Sequence, residues 1–227
     1  MKMTKKKVLV VALAFCLAAI ISMGTLAWFS ASDSVNNNFF IADSEHTDPS
    51  DIFSVTVWEN TPDADEVESG YDYTNILPGD LLKKEVRVEN TGYYAQYVRV
   101  IVTISDAEAW INALGADFNA ADVFDGFNAD QWTHVWNNLS EATEMPEDII
   151  YVLYYNGILE NGDVIEVFDN VKIPTTLTVD QAAAFGGSFS ITVKAQAVQT
   201  ENVVPEGTAD ADKAWAAFNT VGMGIGA

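Results

Sequence analysis

Cysteine is almost missing from this chain of 227 residues: the one present, Cys16, lies inside the apolar run VLVVALAFCLAAII. Beyond residue 27 there is no thiol to form a disulfide, ligate zinc or act as a nucleophile. Histidine is nearly as scarce, with only His46 and His134, and no HExxH is present. The usual zinc site thus lacks its ligands. Neither a GxSxG elbow nor a glycine-rich phosphate loop occurs; Gly222, Gly224 and Gly226 sit in the tail with no strand before them. These absences leave no residue to assign to catalysis and no cofactor to expect.

Positive charge is the next scarcity, with 11 Lys and Arg against 33 Asp and Glu. Four of the lysines fall in MKMTKKK, ahead of the apolar run and of Thr25 and Ala27. A basic segment, an apolar segment and small residues at −3 and −1 predict a secretory signal over 1–27, cut between Ala27 and Trp28. The alternative is an uncleaved anchor, although 14 apolar residues are fewer than the roughly 20 of a spanning helix. Bulky Phe15 before Cys16 argues against a lipidated cysteine. Cleavage would take the net charge from −22 to −22 − 4 = −26. Such a surface repels nucleic acid and anionic membranes.

What remains is rich in aromatics, with 6 Trp, 8 Tyr and 12 Phe, enough for a packed core without disulfides. Residues 29–41 alternate, placing Phe29, Ala31, Val35, Phe39 and Ile41 on one face. A second strand covers 52–58. Leu77-Pro78-Gly79-Asp80 is a turn. The segments 82–89 and 94–104 read as a hairpin about Asn90-Thr91-Gly92, each burying one face. Helices are expected at 106–114, with Asp106 as N-cap, at 128–139, and at the tail, 209–220; a short one is expected over 181–185. Strands return at 148–155, 164–168 and 189–197. The predicted fold class is all-β: one antiparallel, jelly-roll-like sandwich over 43–227, with short helices in its loops and a helical insertion at about 106–147.

Two acidic clusters are candidate calcium sites: Asp63, Asp65, Glu66 and Glu68 in one loop, and Asp117, Asp122 and Asp125 in another. Neither follows an EF-hand pattern, so solvated loops are expected and no metal ligand is assigned. Lys83, Lys84, Arg87 and Arg99 gather four of the few later cations into the expected hairpin. They read either as a contact patch for a neighbour's acidic surface or as local relief of carboxylate repulsion.

The junction Gly24-Thr25-Leu26-Ala27-Trp28-Phe29-Ser30 with Asn38-Phe39 resembles those cut by SipW-type signal peptidases of Gram-positive bacteria. The run LPGDLLKKEVRVENTGYYAQYVRV and the closing ITVKAQAVQTEN are similar to the TasA/camelysin family of secreted biofilm-matrix proteins. The resemblance does not reach the insertion at 106–147. It implies a jelly-roll-like sandwich, export to the extracellular matrix or cell surface of a Gram-positive bacterium, and assembly into fibres. Expected partners are a SipW-type peptidase, further copies of the chain and other matrix proteins. Camelysin-type members have been classed as metallopeptidases, but no catalytic residue can be carried over, and the chain is not expected to be an enzyme. A structural fibre subunit is the first reading. A membrane-anchored binding or fibre-tethering protein is the second, and a peptidase the third. The strand at 29–41 would then either pair within its own sandwich or insert, by the face named above, into the next copy.

Overall fold

A computed structural model describes residues 30–32, 54–60, 73, 76–115, 117–139, 144–175, 177–178, 189–201, 203 and 210–223. Its strands are β1 (Ser30–Ser32), β2 (Thr56–Asn60), β3 (Leu81–Glu89), β4 (Gln96–Ile104), β5 (Phe124–Asp125), β6 (Trp132–Asn137), β7 (Ile149–Tyr155), β8 (Val164–Lys172) and β9 (Ile191–Gln199). Helices α1 (Ala107–Leu114) and α2 (Ala120–Val123) follow β4, and α3 (Asp210–Thr220) follows β9. The strands form two antiparallel sheets packed as a sandwich, one of five strands ordered β1-β9-β4-β7-β6 and one of four ordered β2-β3-β8-β5.

Alternation builds the core. Val86 and Val88 of β3 and Ile165, Phe168 and Val171 of β8 meet Val98, Val100, Val102 and Ile104 of β4 and Ala195 and Ala197 of β9. The last strand therefore buries the face its sequence predicts. Strand β4 is buried on both faces over most of its length, because α3 lays Ala214, Ala217 and Phe218 across Tyr97, Tyr154 and Val198 on the outside of the five-stranded sheet. A helix with apolar residues at i, i+3 and i+4 presents one such face. The turn at Pro78-Gly79 forms as expected: Asp80 N–H donates to the Leu77 carbonyl at 3.1 Å, and Gly79 takes φ of 89°.

Two expectations are corrected. Strands β3 and β4 do not form a hairpin: β3 pairs with β2 and β8, whereas β4 pairs with β7 and β9. The connection at 90–95 crosses between the sheets, and buried polar side chains shape it. Asn90, fully buried, donates to the carbonyls of Tyr94 and Leu159 and accepts from Gly92 N–H and Gln96 Nε2. Buried amides with partners in hand can turn a chain where a two-residue turn would have kept it in one sheet. The connection from β7 to β8 crosses at the same end and is bonded to the first: Leu159 and Gln96 exchange backbone hydrogen bonds, and Gly162 N–H donates to the Asn90 carbonyl.

The segment expected as a helix over 128–139 contains strand β6 instead, on the far edge of the five-stranded sheet. Trp132 and Trp136 match a helical i, i+4 pair, but a register shift between His134 and Trp136 sends them to different faces. Trp132 enters the main core and Trp136 packs beside the second cluster. Trp, Thr and Val suit a pleated, half-buried strand, and the backbone of β7 supplies the partner. Among its described residues the insertion at 106–147 is thus two short helices plus strands that add to both sheets. Helix α1 falls where expected, but Asp106 sits at φ 62° and its side chain makes no cap; its carboxylate accepts from Ser105 Oγ instead.

Candidate functional site

Two places carry features beyond packing: the β1–β9 margin of the five-stranded sheet and the outer face of the four-stranded sheet. On the first, Ser30, Ala31 and Ser32 pair with Val198, Ala197 and Gln196. Of these partners, Ala197 belongs to the core. Residues Ile191–Ala195 of β9 pair with β4 on one side and, among the described residues, with no strand on the other. Phe29, Val35, Phe39 and Ile41 of the expected inserting face, and the cleavage pair Ala27 and Trp28, lie outside the described residues.

The second place is built by cross-strand register. Trp58, Arg87 and Glu166 stand directly opposite one another on β2, β3 and β8, as do Asn60 and Glu85. Arg87 pairs with Glu85 and, at 3.7 Å, with Glu166, and its guanidinium lies 5.1 Å from the centre of the Trp58 ring. Asn60 Nδ2 donates to Glu85 at 2.8 Å. The irregular pairing of β3 with β8 between Lys83 and Arg87 brings Asp169 to the same spot. The carboxylate oxygens of Glu85, Glu166 and Asp169 then lie within 4.8 Å of one another. Gly126 makes room for them: at its φ of 80° a Cβ would stand 2.3 Å from an Asp169 oxygen.

Oxygen ligands suit hard cations, so these three residues are the described set that could hold one. Arg87 already serves two of the three as a built-in cation. Partial burial pushes the Glu166 carboxyl above the usual range, the charge and hydrogen bond of Asp169 add to this, and Arg87 opposes it. An acid with a raised folded-state pKa binds its proton more tightly folded than unfolded. Its contribution to stability is present at low pH and is lost as pH rises through the ordinary glutamate range and then the raised value. We therefore expect Glu166→Gln to melt above the wild type at pH 7.5, with the gap closing by pH 4.5. Thermal unfolding by circular dichroism at both values checks this; a gap that stays constant or widens on acidification would contradict it.

The expected basic patch is dispersed. Lys83 is exposed on β3, and the neighbouring Lys84 is buried in an ion pair with Glu59, with Nζ 2.5 Å from the carboxylate. Arg87 belongs to the carboxylate cluster. Arg99 lies in the other sheet, buried, donating from Nε to Gln196 and from Nη1 to Tyr154 Oη and the Met223 carbonyl. A hairpin would have gathered these four; two strands in different sheets separate them. Of the acidic loops, 63–68 lies outside the described residues, as does His46. Asp122 closes a capping box with Asn119 at the start of α2, and Asp125 accepts from Asn170. Among the described residues no such calcium ligand set forms from Asp117, Asp122 and Asp125. The cluster at Glu85 was missed because its members lie on β3 and β8, far apart in sequence. Comparisons with family models, curated proteins and solved structures give no match to this chain.

Proposed function

We propose that this chain is a secreted structural subunit of extracellular matrix fibres, joined to the next copy through its N-terminal strand. The observation that carries the reading is the place of the N-terminal strand in the fold: Ser30, Ala31 and Ser32 run antiparallel to Val198, Ala197 and Gln196 at the margin of the five-stranded sheet. A strand laid there gains main-chain hydrogen bonds and sends alternate side chains to the core face. In one chain that strand can come from residues 29–41 themselves; in a fibre the same edge takes them from a neighbour. Such a contact joins unlike surfaces and does not close, so it propagates. Export by a SipW-type peptidase, association with other matrix proteins, and a place in the matrix or on the surface of a Gram-positive cell belong to this reading through the TasA/camelysin resemblance.

The test is electron microscopy of protein beginning at Trp28 beside protein beginning at Asp43. Filaments from the first and folded monomers from the second are expected. Filaments from both would leave the fibre reading standing but remove the strand from it. Monomers from both, across salt and calcium, would favour an anchored binding protein.

A further inference from the structure

Three residues of β9 lie between two strands. Gln196, Ala197 and Val198 pair with Ser32, Ala31 and Ser30 of β1 on one side and with Arg99, Val98 and Tyr97 of β4 on the other. Two of the three also hold the helix α3. Val198, fully buried, packs in one cluster with Ala214, Ala217 and Phe218 of that helix. Gln196, 8% exposed, accepts from Arg99 Nε at 2.7 Å. The same guanidinium donates from Nη1 to the Met223 carbonyl at 2.6 Å and lies against the Phe218 ring. A Schellman motif sets the Met223 carbonyl in place: Met223 N–H donates to the Phe218 carbonyl at 2.9 Å, and Gly222 N–H to that of Asn219.

Both attached elements depend on docking. At 11 residues, α3 is shorter than the ~12–15 at which an isolated helix becomes even marginal in water, so its order comes from the sheet beneath it. Strand β1 is three residues long, and all three pair with this stretch of β9. Short elements docked on the margin or the outside of a sheet open locally at a free energy well below that of global unfolding. Each therefore has a docked and a released state, and Gln196–Val198 is the ground they share.

We propose that β1 and α3 are thermodynamically coupled through Gln196 and Val198: a strand on this stretch of β9 holds the helix down, and the docked helix favours the strand. Pairing with β1 fixes the β9 backbone, and so keeps the Gln196 amide at Arg99 and the Val198 side chain under Phe218. Loss of the strand leaves these residues with β4 as their described neighbour, and the acceptor and the apolar seat of α3 lose their set positions. The effect is reciprocal, because each element changes the other's equilibrium by the same factor. The coupling concerns whichever strand lies on β9, from this copy or another, so it stands apart from the fibre reading. In a fibre it would make α3 the part of a subunit that answers to strand exchange.

The test is hydrogen exchange on the exported chain, read at single amides by NMR. Ala31→Pro with Ser32→Pro weakens β1, since adjacent residues of an antiparallel strand alternate in facing the partner and proline cannot donate. Amides of Asp210–Thr220 should then exchange about fivefold faster or more, the lower end of usual coupling factors, while those of β3 and β8 keep their rates. Phe218→Ala runs the cycle from the other side: it should speed exchange at Ala31 and Ser32 and leave β3 and β8 unchanged. In a Gln196→Leu background, which removes the acceptor of Arg99 and keeps the β9 backbone, the two prolines should accelerate α3 less than in the wild type. Unchanged exchange of α3 in the proline variant, or of β1 in Phe218→Ala, would overturn the coupling. Acceleration shared equally by β3 and β8 in both variants would overturn it too, by showing one global unfolding in place of a link between two elements.

Discussion

Trp132→Ala is expected to destabilise the sandwich by about 3–5 kcal/mol, the range for truncating a buried aromatic, and to lower its melting temperature by on the order of 10 °C. Trp132 is 1% exposed, and its ring lies 5.6 Å from that of Tyr155. Its indole N–H also crosses between the sheets, donating to the Glu166 carbonyl at 2.7 Å. Among the described residues, strand β5 pairs only with Val171 and Asn170 on that side of β8. At Glu166 the indole therefore supplies the carbonyl with a donor beyond the described end of β5, and a buried carbonyl without a partner is costly. Trp132→Phe keeps most of the ring and loses the donor, so it should cost about 1–3 kcal/mol, less than the alanine. Urea unfolding of the three proteins measures both steps. An alanine variant within 1 kcal/mol of the wild type, a threshold well below the cavity range, would show that the insertion is an ornament on the sandwich instead of part of its core.

The second large effect concerns Arg99. This guanidinium is 6% exposed, lies 4.3 Å from the centre of the Phe218 ring, and has no carboxylate within ion-pair distance among the described residues. Three hydrogen bonds hold it, to Gln196, Tyr154 and the carbonyl of Met223 just past α3. It thus joins β4, β9, β7 and the C-terminal helix at one point. Arg99→Ala should cost about 2–4 kcal/mol, since bonds to a charged donor are worth more than neutral ones and their acceptors are left facing a void. Arg99→Lys keeps the charge without the planar fork and should recover only part of this. Hydrogen exchange locates the loss: amides of Asp210–Thr220 should exchange faster while those of β3 and β8 keep their protection. Equal acceleration everywhere would mean that α3 and the sandwich unfold as one unit.

Several elements could be read without coordinates, and they share a physical character. The alternation of Val98, Val100, Val102 and Ile104, the Leu77–Asp80 turn and the tail helix with its apolar stripe each depend on a few consecutive residues. Such patterns follow from strand or helix periodicity alone. Partnership between strands does not. The segment 82–104 has the local signature of a hairpin, and only the buried bonds of Asn90 and Gln96 with the other crossing show why it splits between sheets. Trp132 and Trp136 likewise satisfy a helical spacing until β7 offers a backbone edge.

The candidate site divides in the same way. Alternation at 29–41 predicts a strand from period alone, whereas the partner of its described residues, Ser30–Ser32 on β9, appears only in the fold. The sequence by itself determined an acidic sandwich built from alternating strands, because composition and period-two alternation are properties of a chain read in order. The tertiary structure alone decided which carboxylates crowd around Arg87, which cations are buried and which strands share a sheet. Each of these depends on strands distant in sequence meeting in a particular register, and a shift of one residue would turn every side chain to the other face.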